Sequence, residues 1–271
     1  MIIEKMHAEG NDFCILEYIE NIDYKNLAIK VCNRKTGIGC DTLIVIKPNP
    51  IEVLFYNPDG TAKAMSGNGI RCAAKYLLEH NMLKRNKFDV LTIKGKISLE
   101  ILSEYPFMVK VNMAEAIFNN QVIYVSDILD SFGRIFRLDK NKEVTIYSFY
   151  LGTIHTVIFV PDFNSDVLNY ASYIANNKMF TRKTNVDFVR IIDKENVEVK
   201  TYDKHRGFVE SSGTGACAAV VAAAKLGLTK SKANVNYELG SIEIEIKRNK
   251  VFMTGTAVKV FECEYKEEKL C

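Results

Sequence analysis

Short apolar runs separated by turn residues dominate the chain. Most of these runs carry β-branched or aromatic residues and are bounded by glycine, asparagine, aspartate or proline, the pattern that predicts β-strands. We expect most of the strands to pair antiparallel. They are predicted over 2–6, 13–18, 42–46, 53–56, 90–93, 97–101 and 107–112 in the first half, and over 145–151, 155–160, 186–192, 197–202, 241–247, 251–254 and 258–265 in the second.

Two segments show apolar residues at helical spacing instead, and they predict helices over 69–80 and 216–226. Each helix begins just beyond a Ser-Gly-x-Gly tetrapeptide, which starts at Ser66 in the first half and at Ser212 in the second. A serine and glycine turn directly before an apolar segment of helical spacing is typical of a helix N-terminus.

The two halves of the chain repeat the same plan. The tripeptide Arg-Lys-Thr, at 34–36 and again at 182–184, precedes a strand each time, and its two copies are separated by nearly the same distance as the two Ser-Gly-x-Gly turns. Such agreement indicates a duplication. We therefore predict two homologous domains, residues 1–118 and residues 119–271, with the last strand able to return to the first domain.

Composition places the chain among globular proteins, since its 271 residues are 48% hydrophobic and 25% charged with a net charge of +3. No stretch approaches the roughly 20 apolar residues of a membrane span, and the first residues lack a signal-peptide pattern. Basic residues alternate with acidic ones, so neither nucleic acid nor a membrane is an expected partner. The seven cysteines, odd in number and without C-x-x-C spacing, indicate reduced thiols in the cytoplasm and no metal site.

The two glycine turns are the candidate functional sites. The first N–H groups of a helix have no partner within the helix, and a glycine-rich turn leaves them open to an anion. For a single Ser-Gly turn a simple N-cap is the better interpretation, but the symmetric pair favours two anion-binding helix ends that converge on one carboxylate. A phosphate site is the alternative, although neither turn matches the P-loop pattern.

Two acid–base groups on opposite faces of one carbon are what inversion of a stereocentre requires, because one removes a proton while the other delivers one. The residues that open the two turns, Ser66 and Ser212, would face each other in this way. Six segments of the chain carry a more distinctive signature: 6–13, 37–41, 57–60, 65–72, 206–207 and 212–217.

With these segments the chain resembles diaminopimelate epimerase and its relatives, the amino-acid racemases that use no pyridoxal phosphate. The resemblance implies an α/β (α+β) protein of two similar domains, each a curved, mainly antiparallel sheet around a central helix, with the active site in the cleft between them. It implies a two-base reaction without a cofactor, and often a homodimer. It also implies that the backbone at Gly67, Asn68, Gly213 and Thr214 holds the α-carboxylate of an amino-acid substrate.

The chain departs from the family at both catalytic positions, where serine, Ser66 and Ser212, stands in place of cysteine. A thiol with a pKa near ~8.5 supplies a thiolate beside two helix N-termini, whereas an alcohol is a far weaker acid, so serine should cost much of the activity. Three explanations remain open. The pair is an isosteric Cys→Ser double replacement, which we favour, or the natural enzyme uses serine, or the chain is a non-catalytic amino-acid-binding protein.

The family positions that hold the substrate's amino group and far end also differ. The family's glutamate before Arg-Gly is His205, its glutamine after Gly-Ile-Gly-x-Asp is Thr42, and its Asn-Pro-His reads Thr153-Ile154-His155. Without this glutamate, the site lacks a negative charge that would pair with the ammonium group at the far end of diaminopimelate. We expect a polar or cationic substrate such as histidine, with diaminopimelate as the alternative. The positions concerned are Asn11, Thr42, Asn57, Thr153, Asn185, His205 and Arg206.

Overall fold

The computed structural model of the protein describes residues 1–124 and 132–266. Within these ranges the helices are α1 (Tyr24–Cys32), α2 (Gly67–Glu79), α3 (Asn120–Ile123), α4 (Ala171–Ala175) and α5 (Gly213–Lys225), with a 3₁₀ turn at Asp166–Tyr170. The strands are β1 (Ile2–Ala8), β2 (Asn11–Glu17), β3 (Thr42–Pro48), β4 (Ile51–Tyr56), β5 (Ala62–Lys63), β6 (Lys87–Thr92), β7 (Gly95–Glu104), β8 (Phe107–Glu115), β9 (Phe132–Arg137), β10 (Glu143–Tyr150), β11 (Ile154–Phe159), β12 (Asn185–Ile191), β13 (Asn196–Asp203), β14 (Gly207–Val209), β15 (Lys232–Tyr237), β16 (Gly240–Lys247), β17 (Lys250–Gly255) and β18 (Val258–Glu264).

The chain folds into two compact units. The first comprises Met1–Val111 and the chain from Gly255 onward, and the second comprises Asn112–Thr254. The first unit therefore ends a few residues before 118, and β18 belongs to it by pairing antiparallel with β1.

The same connectivity occurs in both units. In the first, β1 pairs antiparallel with β2, β2 parallel with β3, and β3 antiparallel with β4, while α1 connects the parallel pair. In the second, β10, β11, β12 and β13 repeat these three pairings, with α4 as the connecting helix. The strand after each central helix also pairs parallel with the fourth strand of the series, β6 with β4 and β15 with β13. The order of elements is the one that a tandem duplication produces.

The sheet of the first unit is covered on both faces. Helix α1 packs on β3 and β4, and α2 packs on β1, β2 and β3. Successive residues of a strand point to opposite faces, so Cys14 and Leu16 join the cluster around α1, whereas Phe13 lies against α2. This two-sided burial explains why β2 and β3 are almost uninterrupted apolar runs.

The second unit is built around α5, which contacts β11, β12, β13, β15 and β16. The helix carries alanine, valine and cysteine on every side, and ten of its thirteen residues are buried, as expected for a helix at the centre of a domain. Helix α4 packs on β12 and β13. The antiparallel character predicted from sequence holds for most strand pairs, and the parallel ones are confined to the connections around the helices.

Several elements were not predicted from the pattern. Helix α1 has buried Leu27, Ala28 and Val31 at helical spacing, but exposed Ile29 between them turns the stretch into an apolar run that resembles a strand. The strands β5 and β14 are too short for a pattern, and α4 covers little more than one turn. Among the residues described, no helix combines the length and hydropathy needed to span a membrane.

Candidate active site

Ser66 opens α2 as its N-cap. Its backbone is extended (φ −127°, ψ 126°), and its Oγ accepts a hydrogen bond from the backbone N–H of Gly69 at 3.2 Å. Gly67 and Asn68 follow as the first helical residues, and both are buried. The predicted helix start is therefore correct to within two residues. The serine side chain stabilises the helix end, where the backbone N–H groups and the helix dipole favour an anion.

Gly69 lies against an aromatic floor. A Cβ at this position would stand 3.0 Å from Cε1 of Phe13 on β2 and 3.0 Å from Cε1 of Phe55 on β4. Glycine at this position therefore lets the helix approach the sheet closely, and a larger residue would require the rings to shift.

A buried ion pair holds the first turn of α2. Arg71 is fully buried, and its Nη1 donates to Oε1 of Glu9 at 3.0 Å while Nη2 contacts Oε2 of the same carboxylate. Nη2 also donates to Oδ1 of Asn68 at 2.9 Å, and Nη1 to the carbonyl of Thr256 at 2.9 Å. Arg71 thereby fixes the orientation of the Asn68 amide. Glu9 occupies the tight turn between β1 and β2 with a φ of 44°.

The predicted residues of the first unit lie at strand ends near this turn. Asn11 begins β2, its Nδ2 donates to Oδ2 of Asp41 at 2.6 Å, and its Oδ1 lies 3.5 Å from Nδ2 of Asn68. Thr42 begins β3, is fully buried and donates to the carbonyl of Asp41 at 2.7 Å. Asn57 follows β4 and donates through Nδ2 to Oγ1 of Thr61 at 3.0 Å. The structure thus joins Asn11 and Asn68 and leaves Asn57 in its own turn.

Ser212 opens α5 in the same way. Its backbone is extended (φ −142°, ψ 114°), and its Oγ accepts from the backbone N–H of Gly215 at 3.1 Å. Gly213 and Thr214 are the first helical residues, and Oγ1 of Thr214 lies 3.5 Å from the serine Oγ. The hydroxyl of Tyr237 donates to the Ser212 carbonyl at 3.0 Å, which anchors the turn. The two predicted catalytic serines therefore occupy equivalent positions in equivalent elements.

The floor beneath Gly215 is polar. A Cβ there would meet Oδ1 of Asp187 and Oγ1 of Thr201, each at 2.5 Å. Asp187 on β12 accepts from the hydroxyl of Thr201 at 2.7 Å and lies 2.7 Å from Nδ1 of His155, with all three side chains essentially buried. Nε2 of His155 is buried without a hydrogen-bond partner in the part of the chain that the structure describes. His155, the second residue of β11, is therefore a buried histidine at the start of that strand.

A third group of residues surrounds the start of β12. Asn185 begins this strand, and its Oδ1 accepts from the backbone N–H of Lys204 at 3.1 Å. Nζ of Lys204 donates to Oγ1 of Thr153 at 3.0 Å and to the carbonyl of Arg182 at 2.9 Å. Burial lowers the pKa of the Lys204 ammonium, and nearby Arg182 and Lys183 lower it further, against the opposing effect of Asp203.

His205 and Arg206 belong to the turn that follows β13. Both backbone N–H groups donate to Oδ1 of Asp203, at 3.0 Å and 3.2 Å, and Nε of Arg206 lies 3.8 Å from the same oxygen. Aspartate caps the turn in this way because its short side chain reaches the next backbone donors. Lys204, at the start of this turn, thus links the turn to Asn185 through its backbone and to Thr153 through its side chain.

Two cysteines near the turns have a packing role. Cys72 and Cys217 are fully buried inside α2 and α5, and burial raises the pKa of the Cys72 thiol far above its usual value. A thiol of that kind stays protonated and unreactive. The described residues contain no group of histidine, cysteine or acidic side chains able to hold a metal ion.

Each unit thus presents a serine-capped helix end suited to a carboxylate, with polar side chains at the neighbouring strand ends. The fold is that of the two-domain epimerases: a hydroxyproline epimerase from Agrobacterium vitis, solved with bound trans-4-hydroxy-L-proline, superposes with a TM-score of 0.70 at 13% identity, covering 97% of this chain and 91% of that one. Together with the sequence comparisons that follow, this fold places the chain in the class of epimerases, which are isomerases.

The particular family follows from the sequence comparisons. The family model described as diaminopimelate epimerase matches residues 3–119 and 147–260. A diaminopimelate epimerase from Caldanaerobacter subterraneus subsp. tengcongensis is 35% identical, covering 97% of this chain and 99% of the relative. A second, from Halothermothrix orenii, is 36% identical and covers 95% of each chain. The chain belongs to the diaminopimelate epimerase family.

Sequence reasoning missed three parts of this site: the Glu9–Arg71 pair, the Asp187–Thr201 floor and Lys204. Glu9 and Arg71 both stand in segments that the resemblance singled out, so their charges were visible but their pairing was not. Lys204 falls in a turn where the chain departs from the family pattern, and that departure is a signal that could have drawn attention to it.

Proposed function

We propose that the protein catalyses the interconversion of LL- and meso-diaminopimelate by a two-base proton transfer at the α-carbon, without a cofactor. The pair of equivalent serine-capped helix starts, Ser66 and Ser212, carries the proposal, because each stands at the position from which a base would act. Extensive identity with diaminopimelate epimerases along the whole chain supports this substrate. The comparisons give no support to the histidine substrate that the altered pocket suggested.

Each residue has a definite part in the proposed reaction. Backbone N–H groups at Gly67, Asn68, Gly213 and Thr214 hold the α-carboxylate, and their partial positive charge also stabilises the carbanion-like transition state. The groups at 66 and 212 remove and return the α-proton from opposite faces. The amino group and the far end of the substrate are held by Asn11, Thr42, Asn57, Thr153, Asn185, His205 and Arg206.

Serine at both base positions sets the expected level of activity. A hydroxyl is a much weaker acid than a thiol, so the fraction present as a base near neutral pH is far smaller. We expect the protein to bind diaminopimelate and to exchange its α-proton slowly. A binding protein on the same scaffold is the second candidate, and it is the two serines that favour it.

The decisive experiment restores thiols one at a time. The chain itself, Ser66→Cys, Ser212→Cys and the double replacement are each incubated in heavy water with LL-diaminopimelate and with the meso isomer. Deuterium at the α-carbon is measured by mass spectrometry, and stereochemistry by chiral chromatography. Histidine, lysine, arginine and glutamate complete the panel, and exposed Ser172→Cys serves as a control for an added thiol.

We expect the double replacement to raise α-deuterium incorporation by about 10²–10⁴-fold and to invert the centre. Each single replacement should promote exchange in one stereoisomer more than in the other, because one thiol reaches only one face. Ser172→Cys should behave like the unchanged chain. Binding of diaminopimelate with no exchange in any form would assign the chain to the binding proteins, and rapid exchange of another amino acid would replace the proposed substrate.

We also propose that the protein acts in the cytoplasm as a homodimer. Strand β18 supports the second part, since Val260 and Phe261 are exposed on it although both are large and apolar. Sedimentation equilibrium of the chain and of Phe261→Glu tests the dimer. A monomer at every concentration for the unchanged chain rules it out.

A further inference from the structure

Three cysteines of the first unit lie together beneath the end of α1. The Sγ atoms of Cys32 and Cys40 are 3.3 Å apart, within hydrogen-bond distance, and the Cys14 thiol on β2 also hydrogen-bonds Cys40. All three side chains are buried in the apolar cluster around α1. We call these three residues the thiol cluster. The proposed reaction uses none of them.

The backbone holds Cys32 and Cys40 side by side. Cys32 is the last residue of α1, and the backbone N–H of Cys40 donates to its carbonyl at 3.2 Å. Gly39, with a φ of 80°, donates its own N–H to the Val31 carbonyl at 2.9 Å, so the loop folds back onto the helix end. A disulfide needs its sulfurs at about 2.05 Å. Side-chain rotation at the two cysteines can close the remaining gap.

Cys40 is the member of the thiol cluster that suits a nucleophile. Hydrogen bonds from the Cys14 and Cys32 thiols hold the pKa of the Cys40 thiol well below its usual value in spite of burial, and the Lys5 ammonium lowers this pKa further. Nζ of Lys5 donates to the carbonyl of Gly39, the residue before Cys40. The hydrogen bond to Cys40 and burial raise the pKa of Cys14 and of Cys32. Because the thiolate is the reactive form of cysteine, Cys40 is the residue that would attack an electrophile.

Cys32 is better placed than Cys14 to form a covalent bond with Cys40. Cys14 lies inside β2, which pairs with β1 on one side and with β3 on the other, so its backbone is fixed. Cys32 ends a helix and is followed directly by the exposed residues 33–36, so its backbone can adjust. Cys32 and Cys40 are 3% and 2% exposed, whereas Cys14 is completely buried. A small oxidant therefore meets this pair before it meets Cys14.

The second unit shows that the fold does not require thiols at these positions. Its equivalent turn is closed by Thr184, whose backbone N–H donates to the carbonyl of Ala175 at the end of α4 at 3.1 Å. The hydroxyl of Thr184 also lies 2.9 Å from that of Thr156 on β11. The corresponding residues of the first unit are Cys40, Cys32 and Cys14. Thiols are therefore not needed for the architecture that the two units share.

We propose that Cys32 and Cys40 form a redox-active dithiol, a modification site at which a hydroperoxide oxidises the pair to a disulfide. Cys40 is the attacking residue, and Cys32 is the resolving residue. Neither thiol takes part in the α-proton transfer, so this site is independent of the proposed function.

Hydrogen peroxide as the oxidant balances the reaction. The Cys40 thiolate attacks one peroxide oxygen, the O–O bond breaks, and the departing hydroxide takes up a proton to leave as water, with a sulfenic acid formed on Cys40. Cys32 then loses its proton and attacks Sγ of Cys40, the S–O bond breaks, and a second water leaves. The two sulfurs thereby lose two electrons to the peroxide. A dithiol reductant reverses the change.

The test uses the unchanged chain and three variants whose new residues are those of the second unit, Cys40→Thr, Cys32→Ala and Cys14→Thr. Each reduced protein is treated with increasing hydrogen peroxide, its remaining thiols are alkylated, and it is digested with trypsin without reductant. Trypsin cuts after Arg34 and Lys35, between the two cysteines, so a disulfide leaves two peptides linked in the mass spectrum. Dimedone, added in parallel samples, labels sulfenic acids. Circular dichroism before treatment shows that each variant is folded.

We expect the unchanged chain and Cys14→Thr to form the link between Cys32 and Cys40, and dithiothreitol to remove it. Cys32→Ala should instead accumulate dimedone-labelled Cys40, because the resolving thiol is missing. Cys40→Thr should form neither product in the thiol cluster. In the unchanged chain Cys40 should react at least about 10-fold faster than Cys72, because burial raises the pKa of the Cys72 thiol and keeps it protonated.

Three results would overturn this role. A pair that stays reduced at peroxide concentrations that oxidise the partly exposed Cys263 is not redox-active. A link between Cys14 and Cys40 in the unchanged chain removes Cys32 as the resolving residue, and a sulfenic acid on Cys32 in Cys40→Thr removes Cys40 as the attacking one. None of these results bears on diaminopimelate binding or α-proton exchange, so the proposed function is tested separately.

Discussion

The two serine-capped helices begin over floors of opposite chemical character. In the first unit Gly69 approaches the rings of Phe13 and Phe55, whereas in the second unit Gly215 approaches oxygens of Asp187 and Thr201. The elements and their pairings are the same in both units. Backbone architecture is therefore retained across the duplication while the chemistry beneath the helix has diverged.

The buried polar side chains next to the central helix lie on different elements in the two units. The first unit has an apolar floor and carries its charge within α2, as Arg71 paired with Glu9. The second has an almost wholly apolar helix and carries its polar groups on the strands, as His155, Asp187 and Thr201. A helix start of this kind thus tolerates either arrangement, provided that every buried charge has a partner.

The largest effect is expected at Arg71. Arg71→Met leaves Glu9 buried without a partner and should lower the free energy of unfolding by about 3–5 kcal/mol. The double variant Glu9→Gln/Arg71→Met should recover part of this loss, because the unpaired charge is gone. Urea denaturation measures both. If the two variants prove equally stable, the ion pair does not hold the turn.

Alanine at the two equivalent glycines compares the floors directly. Gly215→Ala forces a methyl group within 2.5 Å of two buried oxygens, and we expect a loss of about 3 kcal/mol. Gly69→Ala meets ring atoms at 3.0 Å and should cost about 1 kcal/mol, since the rings can shift slightly. Thermal and urea unfolding of the pair decide the order, and a reversed order would mean that the polar floor is the more adaptable one.

The hydrogen bond within the polar floor should be worth somewhat less. Thr201→Val removes the hydroxyl that donates to Asp187 at 2.7 Å, and we expect a loss of about 2 kcal/mol. Thr201→Ser keeps the hydroxyl and should be milder. The same urea titrations apply, and identical stabilities for valine and serine would show that the hydroxyl is not what stabilises this floor.

The smallest effect concerns pH. Burial lowers the pKa of Lys204, so this ammonium loses its proton at a lower pH than an exposed lysine does. The unfolded chain keeps this proton to a higher pH, so the free energy of unfolding should rise slightly as the pH increases through the folded-state pKa of Lys204. Lys204→Arg should not show this rise, because arginine stays charged. Urea denaturation over a range of pH measures both proteins. Parallel pH profiles for the two proteins would exclude Lys204 as the titrating group.

The sequence was informative where pattern and chemistry coincide locally. The two central helices and their serine N-caps followed from Ser-Gly-x-Gly turns in front of apolar helical spacing, and most strands followed from short β-branched runs. The parallel pairing of β2 with β3 and of β11 with β12 could not be predicted from the sequence, because strands buried on both faces lose the alternation that reveals register. The contact between Glu9 and Arg71 could not be predicted either, because it joins residues distant in the chain. The same holds for the polar floor, because its three residues come from three different strands.

The pairing of β18 with β1 brings the two ends of the described chain together, with the Met1 amino group donating to the Tyr265 carbonyl at 2.9 Å and Tyr265 N–H to the Met1 carbonyl at 2.8 Å. During synthesis the unit that starts first is thus completed last, since its edge strand emerges only after all of the second unit. The same proximity makes the molecule suitable for circular permutation, with new ends opened in an exposed turn.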